Sequence, residues 1–278
     1  MAKLKEAMAA GMAVDMSDAT DTFTNDIVCC VVSGKFFSQD GRNKTLWEQI
    51  ETNSTLYAGF SLEIFFPGLV NSLAEQEEGT DFVDVMLSVQ QEYSITRDHI
   101  KAVLMDMFDA DTVTSSLVLD LAMAELMRHP HIMTKLQAEV RNKTPNGQEM
   151  VKEEDLASMA YLRAVVKETL RHPESWEKAE EFMPDRFMDG GSAATIHLKG
   201  NDFQFIPFGA GRRMCPGINF GLVTVEIMLA NLMYCFDWGL PAGMDKEDID
   251  MTEVFGLTVH RKEKLMLVPK LPGSACCA

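Results

Sequence analysis

Apolar side chains recur at helical intervals along most of this chain, and that periodicity predicts a mainly α fold. Residues 17–33 carry Phe23, Ile27, Cys30 and Val31 on one face, which predicts a helix that Gly34 stops. A weaker helix is expected over 43–58, followed by a breaker at Phe65-Phe66-Pro67-Gly68. The run Glu75-Gln76-Glu77-Glu78-Gly79 has nothing to bury and reads as a solvated linker. The strongest pattern spans 97–128, where Ile100, Val103, Leu104, Met107, Phe108, Leu117, Leu121 and Met127 keep helical spacing. Thr96 stands where an N-cap belongs and Pro130 closes the run, giving a helix about 48 Å long. Further helices are predicted over 132–141, 156–171 and 218–236, with an irregular stretch at 188–204. Residues 257–261 and 265–268, separated by Lys262-Glu263-Lys264, predict a small C-terminal β-hairpin. No internal repeat is present.

The charge balance narrows the function classes. With Lys and Arg at 25 against 42 Asp and Glu, the net charge is −17, and no basic stripe exists. That argues against nucleic acid as a partner, since phosphate binding rests on clustered cations. The cysteines show no zinc or CxxC spacing, which fits a reducing compartment. Asp15 and Asp18 interrupt any signal-like apolar region, and no window supplies the ~20 apolar residues of a transmembrane segment. The chain as written is therefore expected to be cytosolic or at most peripheral. The terminal Ala275-Cys276-Cys277-Ala278 does not place a lone Cys four from the end, as prenylation requires.

The informative chemistry lies in Phe208-Gly209-Ala210-Gly211-Arg212-Arg213-Met214-Cys215-Pro216-Gly217, just before the last helix. Its three glycines allow a tight turn close to a flat ligand, and Pro216 suits a first helical turn. Cys215 thus sits at a helix N-terminus, where backbone N–H groups favour a thiolate, a soft metal ligand. Arg213 could meet an anionic cofactor group. Two other readings stay open on the residues alone. Cys215 is a buried thiol with no function, or it is a nucleophile whose base comes from His129, His131, His172, His197 or His260.

The spacing of Phe208, Gly211, Arg213, Cys215 and Gly217 resembles, at every fixed position, the haem-binding signature of the cytochrome P-450 family. Two further segments fall in that family's order. Glu168-Thr169-Leu170-Arg171 is similar to its ExxR pair, and Phe182-Met183-Pro184-Asp185-Arg186-Phe187 to the segment whose arginine joins that pair as a structural network. The wording around Thr96, Ala124 and Gln137 is similar to the plant microsomal branch.

The resemblance implies a truncated helical fold with a small C-terminal hairpin, a single incomplete domain over 1–278. Its parts are a divergent helical 1–93 and a recognisable core, 94–269. It implies haem b on Cys215, electrons from NADPH through a cytochrome P-450 reductase, and oxygen insertion into a small apolar substrate. The family's setting is the cytosolic face of the endoplasmic reticulum membrane. Thr114 matches the hydroxyl that steers protons to dioxygen, but Asp111 stands in place of the family's glycine and Val113 in place of its acid. A one-residue shift of register would instead make Asp109 or Asp111 the acid. After Arg171 the chain passes directly to His172, where the family inserts several tens of residues, so apolar faces are expected to be left uncovered. The alternative function is a non-catalytic remnant that binds haem weakly or acts only as an interaction module.

Overall fold

The computed structural model describes residues 1–33, 81–172, 175–178, 181–198, 205, 208–256 and 258–273. The expected helix over 43–58, the breaker at 65–68, the linker at 75–79, the stop at Gly34 and the tail cysteines lie outside these residues. Helix α1 (Ala2–Ala10) ends at Gly11, whose φ of 62° is the left-handed cap. A short β1 (Val14–Asp15) leads into α2 (Met16–Ser33). Asp81 caps α3 (Phe82–Ser88), its carboxylate accepting from the Asp84 N–H at 2.9 Å.

The fold is organised on α4 (Arg97–Arg128), 32 residues long. Thr96 accepts from the His99 N–H at 3.2 Å while the His99 ring takes the Thr96 N–H, so the predicted cap is a reciprocal one. Helix α5 (Pro130–Lys143) starts on Pro130, which needs no donor in the first turn. The helix expected over 156–171 is divided into α6 (Glu153–Leu156) and α7 (Ala160–Thr169). The break has a tertiary cause. Glu139 of α5 accepts from the N–H groups of Tyr161 and Leu162 at 2.9 and 2.8 Å, capping α7 afresh, and Arg163 binds the Leu156 carbonyl at 2.8 Å.

Helix α8 (Ile218–Cys235) is apolar and long enough to cross a membrane by length and composition. Here it is a core helix packed on α4, α5 and α7, with Met228, Leu229, Leu232 and Met233 buried against Leu119, Met123, Leu136 and Leu162. Its end is held by Arg141, which donates to the Phe236 carbonyl at 3.0 Å and to Asp237 at 2.7 Å.

Beyond α8, β2 (Asp237–Gly239) pairs antiparallel with β5 (Met266–Lys270), whose other edge pairs with β1. A C-terminal hairpin is present, but its strands are β3 (Glu253–Val254) and β4 (His260–Arg261). The expected pairing of 257–261 with 265–268 is not formed. Leu265 and Leu267 are instead buried in the main core, and Arg261 is drawn to α4. Arg261 Nε meets Asp120 Oδ2 at 2.8 Å, and both side chains are buried. Of the large apolar side chains left exposed, Val254, Phe255 and Val259 cluster on this hairpin, and Phe255 is 92% exposed.

The α2–α4 contact is polar from Ser17 to Thr24 and apolar beyond, where Val28, Cys29 and Val32 pack with Phe108. Thr20 and Ser116 hydroxyls lie 3.0 Å apart, Thr24 donates to the Thr112 carbonyl at 3.0 Å, and Ser17 donates to Asp120 at 3.0 Å. Ser116 also donates to Asp21. Burial lifts the Asp21 carboxyl from 3.8 to about 6, the Ser116 hydroxyl pulling against it.

Two predictions follow from these contacts. Arg261→Met strands the Asp120 charge and is expected to lower stability by about 3–5 kcal/mol in urea unfolding, with most of it regained on adding Asp120→Leu. Because Asp21 holds its proton more tightly folded than unfolded, the stability linked to it is lost as pH rises from about 4 through 6. Asp21→Asn keeps an acceptor for Ser116, so its thermal midpoint should exceed the parent's by a few degrees at pH 7 and match it near pH 4.

Candidate functional site

The segment leading into α8 is folded back on itself by one bond, the Cys215 N–H donating to the Phe208 carbonyl at 2.8 Å. Gly209 and Gly211, with φ of 64° and 67°, turn the corners that this closure demands. A Cβ on Gly211 would meet nothing within 4 Å, so backbone angle, not crowding, calls for glycine there. Arg212 and Arg213 are exposed on the same turn. At the start of α8 the Gly217 N–H reaches the half-buried sulfur of Cys215.

Burial raises the Cys215 thiol above its usual value, and Asp111 adds to this against the Gly217 N–H. Desolvation thus works against the thiolate expected at a helix N-terminus, and the Gly217 N–H works for it. The groups that act on this thiol are the Gly217 N–H and the Asp111 carboxylate. Metal coordination displaces a thiol proton outright, so a raised value is compatible with a sulfur ligand.

Helix α4 crosses α8 beside this loop. A Cβ on Gly221 would stand 3.7 Å from Ser115 Oγ and 3.8 Å from Asp111 Oδ1. Ser115 donates to Asp111 Oδ1 at 3.1 Å, whereas Asp111 Oδ2 is buried with no hydrogen-bond partner. Burial lifts this carboxyl from 3.8 to about 6, the Ser115 hydroxyl opposing. Thr114 is exposed and donates its hydroxyl back to the Ala110 carbonyl at 2.6 Å, within its own helix. Val113 is half-buried, and burial also raises the Asp109 carboxyl.

Glu168, Arg171 and Arg186 come together. Glu168 Oε1 accepts from Arg171 Nε at 2.8 Å and from the Met183 N–H at 2.9 Å, while Oε2 lies 2.9 Å from Arg186 Nε. The Glu168 side chain is 0% exposed, so this is no surface i, i+3 pair. Arg186 donates onward to the carbonyls of Glu177 and Glu181 at 2.9 and 3.2 Å. It also lies over the Trp176 ring, which packs with Phe187 and with Phe205, three residues before Phe208. The network thus extends through Trp176 to Phe187 and Phe205.

Sequence reasoning missed Asp120–Arg261 and the Glu139 cap. Their signal was weak: one acid within the apolar stretch of α4, and one glutamate among the charges of α5.

The residues fit a flat, metal-bearing group bound through sulfur. The thiol is half-buried beside an open, glycine-cornered turn with arginines on it, and a buried carboxylate oxygen on the neighbouring helix is left without a donor. Comparison with known proteins agrees. The family model for cytochrome P-450 matches residues 69–173 and 172–268. The chain belongs to the cytochrome P-450 family.

Indole-2-monooxygenase of Zea mays is 42% identical over 342 positions, which cover 96% of this chain and 64% of that protein. Indolin-2-one monooxygenase of Zea mays is 41% identical, covering 93% and 63%. 3-Hydroxyindolin-2-one monooxygenase of Zea mays is 37% identical, covering 98% and 65%. The chain thus spans less than two thirds of the length of these cytochromes P-450. Alignments of this length exceed its 278 residues, so the relatives carry internal segments that it lacks. One junction is marked by the family match itself, which breaks into two pieces at 172–173.

Glu168→Gln leaves two guanidinium groups packed on a neutral amide and is expected to lower the unfolding free energy by about 3–5 kcal/mol in urea. Lys135→Ala, which removes an exposed ion pair with Asp185, should change it by less than about 1 kcal/mol in the same measurement.

Proposed function

We propose that this chain is the haem-binding part of a haem-thiolate monooxygenase that hydroxylates a small apolar molecule. The observation that carries the reading is Cys215, half-buried at the N-terminal end of α8 on a glycine-cornered turn, in a chain of this family. Cys215 Sγ would hold the iron, with the Gly217 N–H tempering the charge on sulfur. Arg213 would offer its guanidinium to a haem carboxylate. Haem, when bound, supplies the activation of dioxygen, with two electrons from NADPH delivered by cytochrome P-450 reductase.

Thr114 Oγ1 would have to leave the Ala110 carbonyl to steer a proton toward dioxygen, a rotation that its exposure permits. Glu168, Arg171 and Arg186 keep the cysteine loop in register from behind. The substrate class favoured is an indole-type heterocycle, supported by the names of the three relatives from maize. The family implies the cytosolic face of the endoplasmic reticulum membrane as the working place.

A second reading is a remnant that binds haem without turnover. It is favoured by the break in the family match at 172–173 and by Asp111 and Val113 on α4.

The test is the difference spectrum of the haem-supplemented, dithionite-reduced protein with and without carbon monoxide. A red-shifted Soret band that is lost in Cys215→Ala is the expected result. A band that survives the substitution removes the sulfur ligand and the function with it, and a sulfur-dependent band without NADPH-dependent oxidation of indole supports the second reading.

A further inference from the structure

Asp111 and Ser115 are polar groups of α4 that face the start of α8. One helical turn apart, they lie on the face that meets Gly221 of α8, six residues beyond Cys215. Asp111 is close enough to the sulfur for its charge to act on it. Thr114 is placed otherwise, exposed and bonded to its own helix.

The two oxygens of Asp111 are not equivalent. Oδ1 has the Ser115 hydroxyl, and Oδ2 is shut off from solvent with no donor at all. A buried acceptor without a donor is a standing penalty that the folded chain removes as soon as a donor is supplied. The groups around it offer none. Gly221 has no side chain, and Ser115 has one proton, already given. A group bound through Cys215, at the start of α8, would lie beside the helix whose Gly221 this carboxylate faces.

Resting on the haem-thiolate reading, we propose that Asp111, not Thr114, would accept a hydrogen bond from a water on the iron that Cys215 would hold, and so disfavour exchange of that water for other ligands. The consequence is selective. A neutral ligand entering from outside must displace a water that Asp111 anchors, whereas haem uptake through Cys215 is left as it is. Asp111 acts as a positioning residue, since its contact is to the ligand and not to the iron.

The experiment titrates the ferric, haem-loaded protein with imidazole and follows the Soret band, in the parent, Asp111→Gly and Asp111→Asn. Asp111→Asn is nearly isosteric and keeps the test usable if the glycine variant does not fold. Expected are equal haem content, a shifted ferric Soret band in Asp111→Gly before imidazole is added, and imidazole binding about tenfold tighter than in the parent, equivalent to about 1.4 kcal/mol. Asp111→Asn, which keeps one acceptor, should fall between. Equal imidazole affinity and an unshifted ferric band across haem-loaded variants overturn the inference while leaving the haem-thiolate reading intact. Failure of the parent to take up haem overturns both.

Discussion

Glu168 is the constraint on which the rest of the structure depends. Its carboxylate has no exposed surface and is held by two guanidinium groups and the Met183 N–H. A buried charge of this kind is tolerable only when fully paired, because desolvating an ion costs several kcal/mol. The pairing therefore fixes where each partner can be. Arg171 ends the segment after α7, Arg186 lies in the turn 184–187, and Trp176, Phe187 of that turn and Phe205 pack on one another. The packing of the segment before the cysteine loop thus begins at one carboxylate.

The long helix α4 supplies the other half of the arrangement, and its chemistry changes along its length. Toward α2 the Thr112 carbonyl accepts from Thr24, Ser116 meets Thr20 and Asp120 accepts from Ser17, while the Thr112 hydroxyl is buried without a partner among the described residues. Asp120 then anchors Arg261 and with it the β3–β4 hairpin. Asp21 and Asp111, by contrast, are acids lifted by burial without a cation beside them. In a chain with a net charge of −17 such acids gain little from distant charges, and their stability depends on single hydroxyl donors. That is why the part of the α4–α8 contact at Asp111 and Gly221 is more sensitive to its surroundings than the apolar part at Leu119 and Met123.

Local signals carried much of the fold. Thr96 and Pro130 mark the ends of α4 because a cap and a proline act within one turn of themselves. The cysteine loop was legible for the same reason, as glycine spacing and Pro216 describe its own backbone. What could not be read depends on partners far along the chain. The separation of α6 from α7 needs Glu139, and the strand partners at the C-terminus are chosen by Asp120, 141 residues away from Arg261. The network of Glu168 with Arg171 and Arg186 was legible by family resemblance, since an acid and an arginine at i, i+3 are otherwise an exposed pair.

The same network explains why the chain accepts a junction at 172–173. Arg171, before it, and Arg186, after it, both bind Glu168, and the carbonyls of Glu177 and Glu181 also face these arginines. The two sides of the junction are thus drawn to one point whatever lies between them. A short connection then closes a loop at little entropic cost, since that cost depends only weakly on length once the ends are held together. Longer insertions would leave the Glu168 contacts as they are, which is how relatives with internal segments and this chain can share the cysteine loop and the helices behind it. The hairpin carrying Val254, Phe255 and Val259 has no such tie beyond Arg261, and it is there that apolar side chains cluster in contact with solvent.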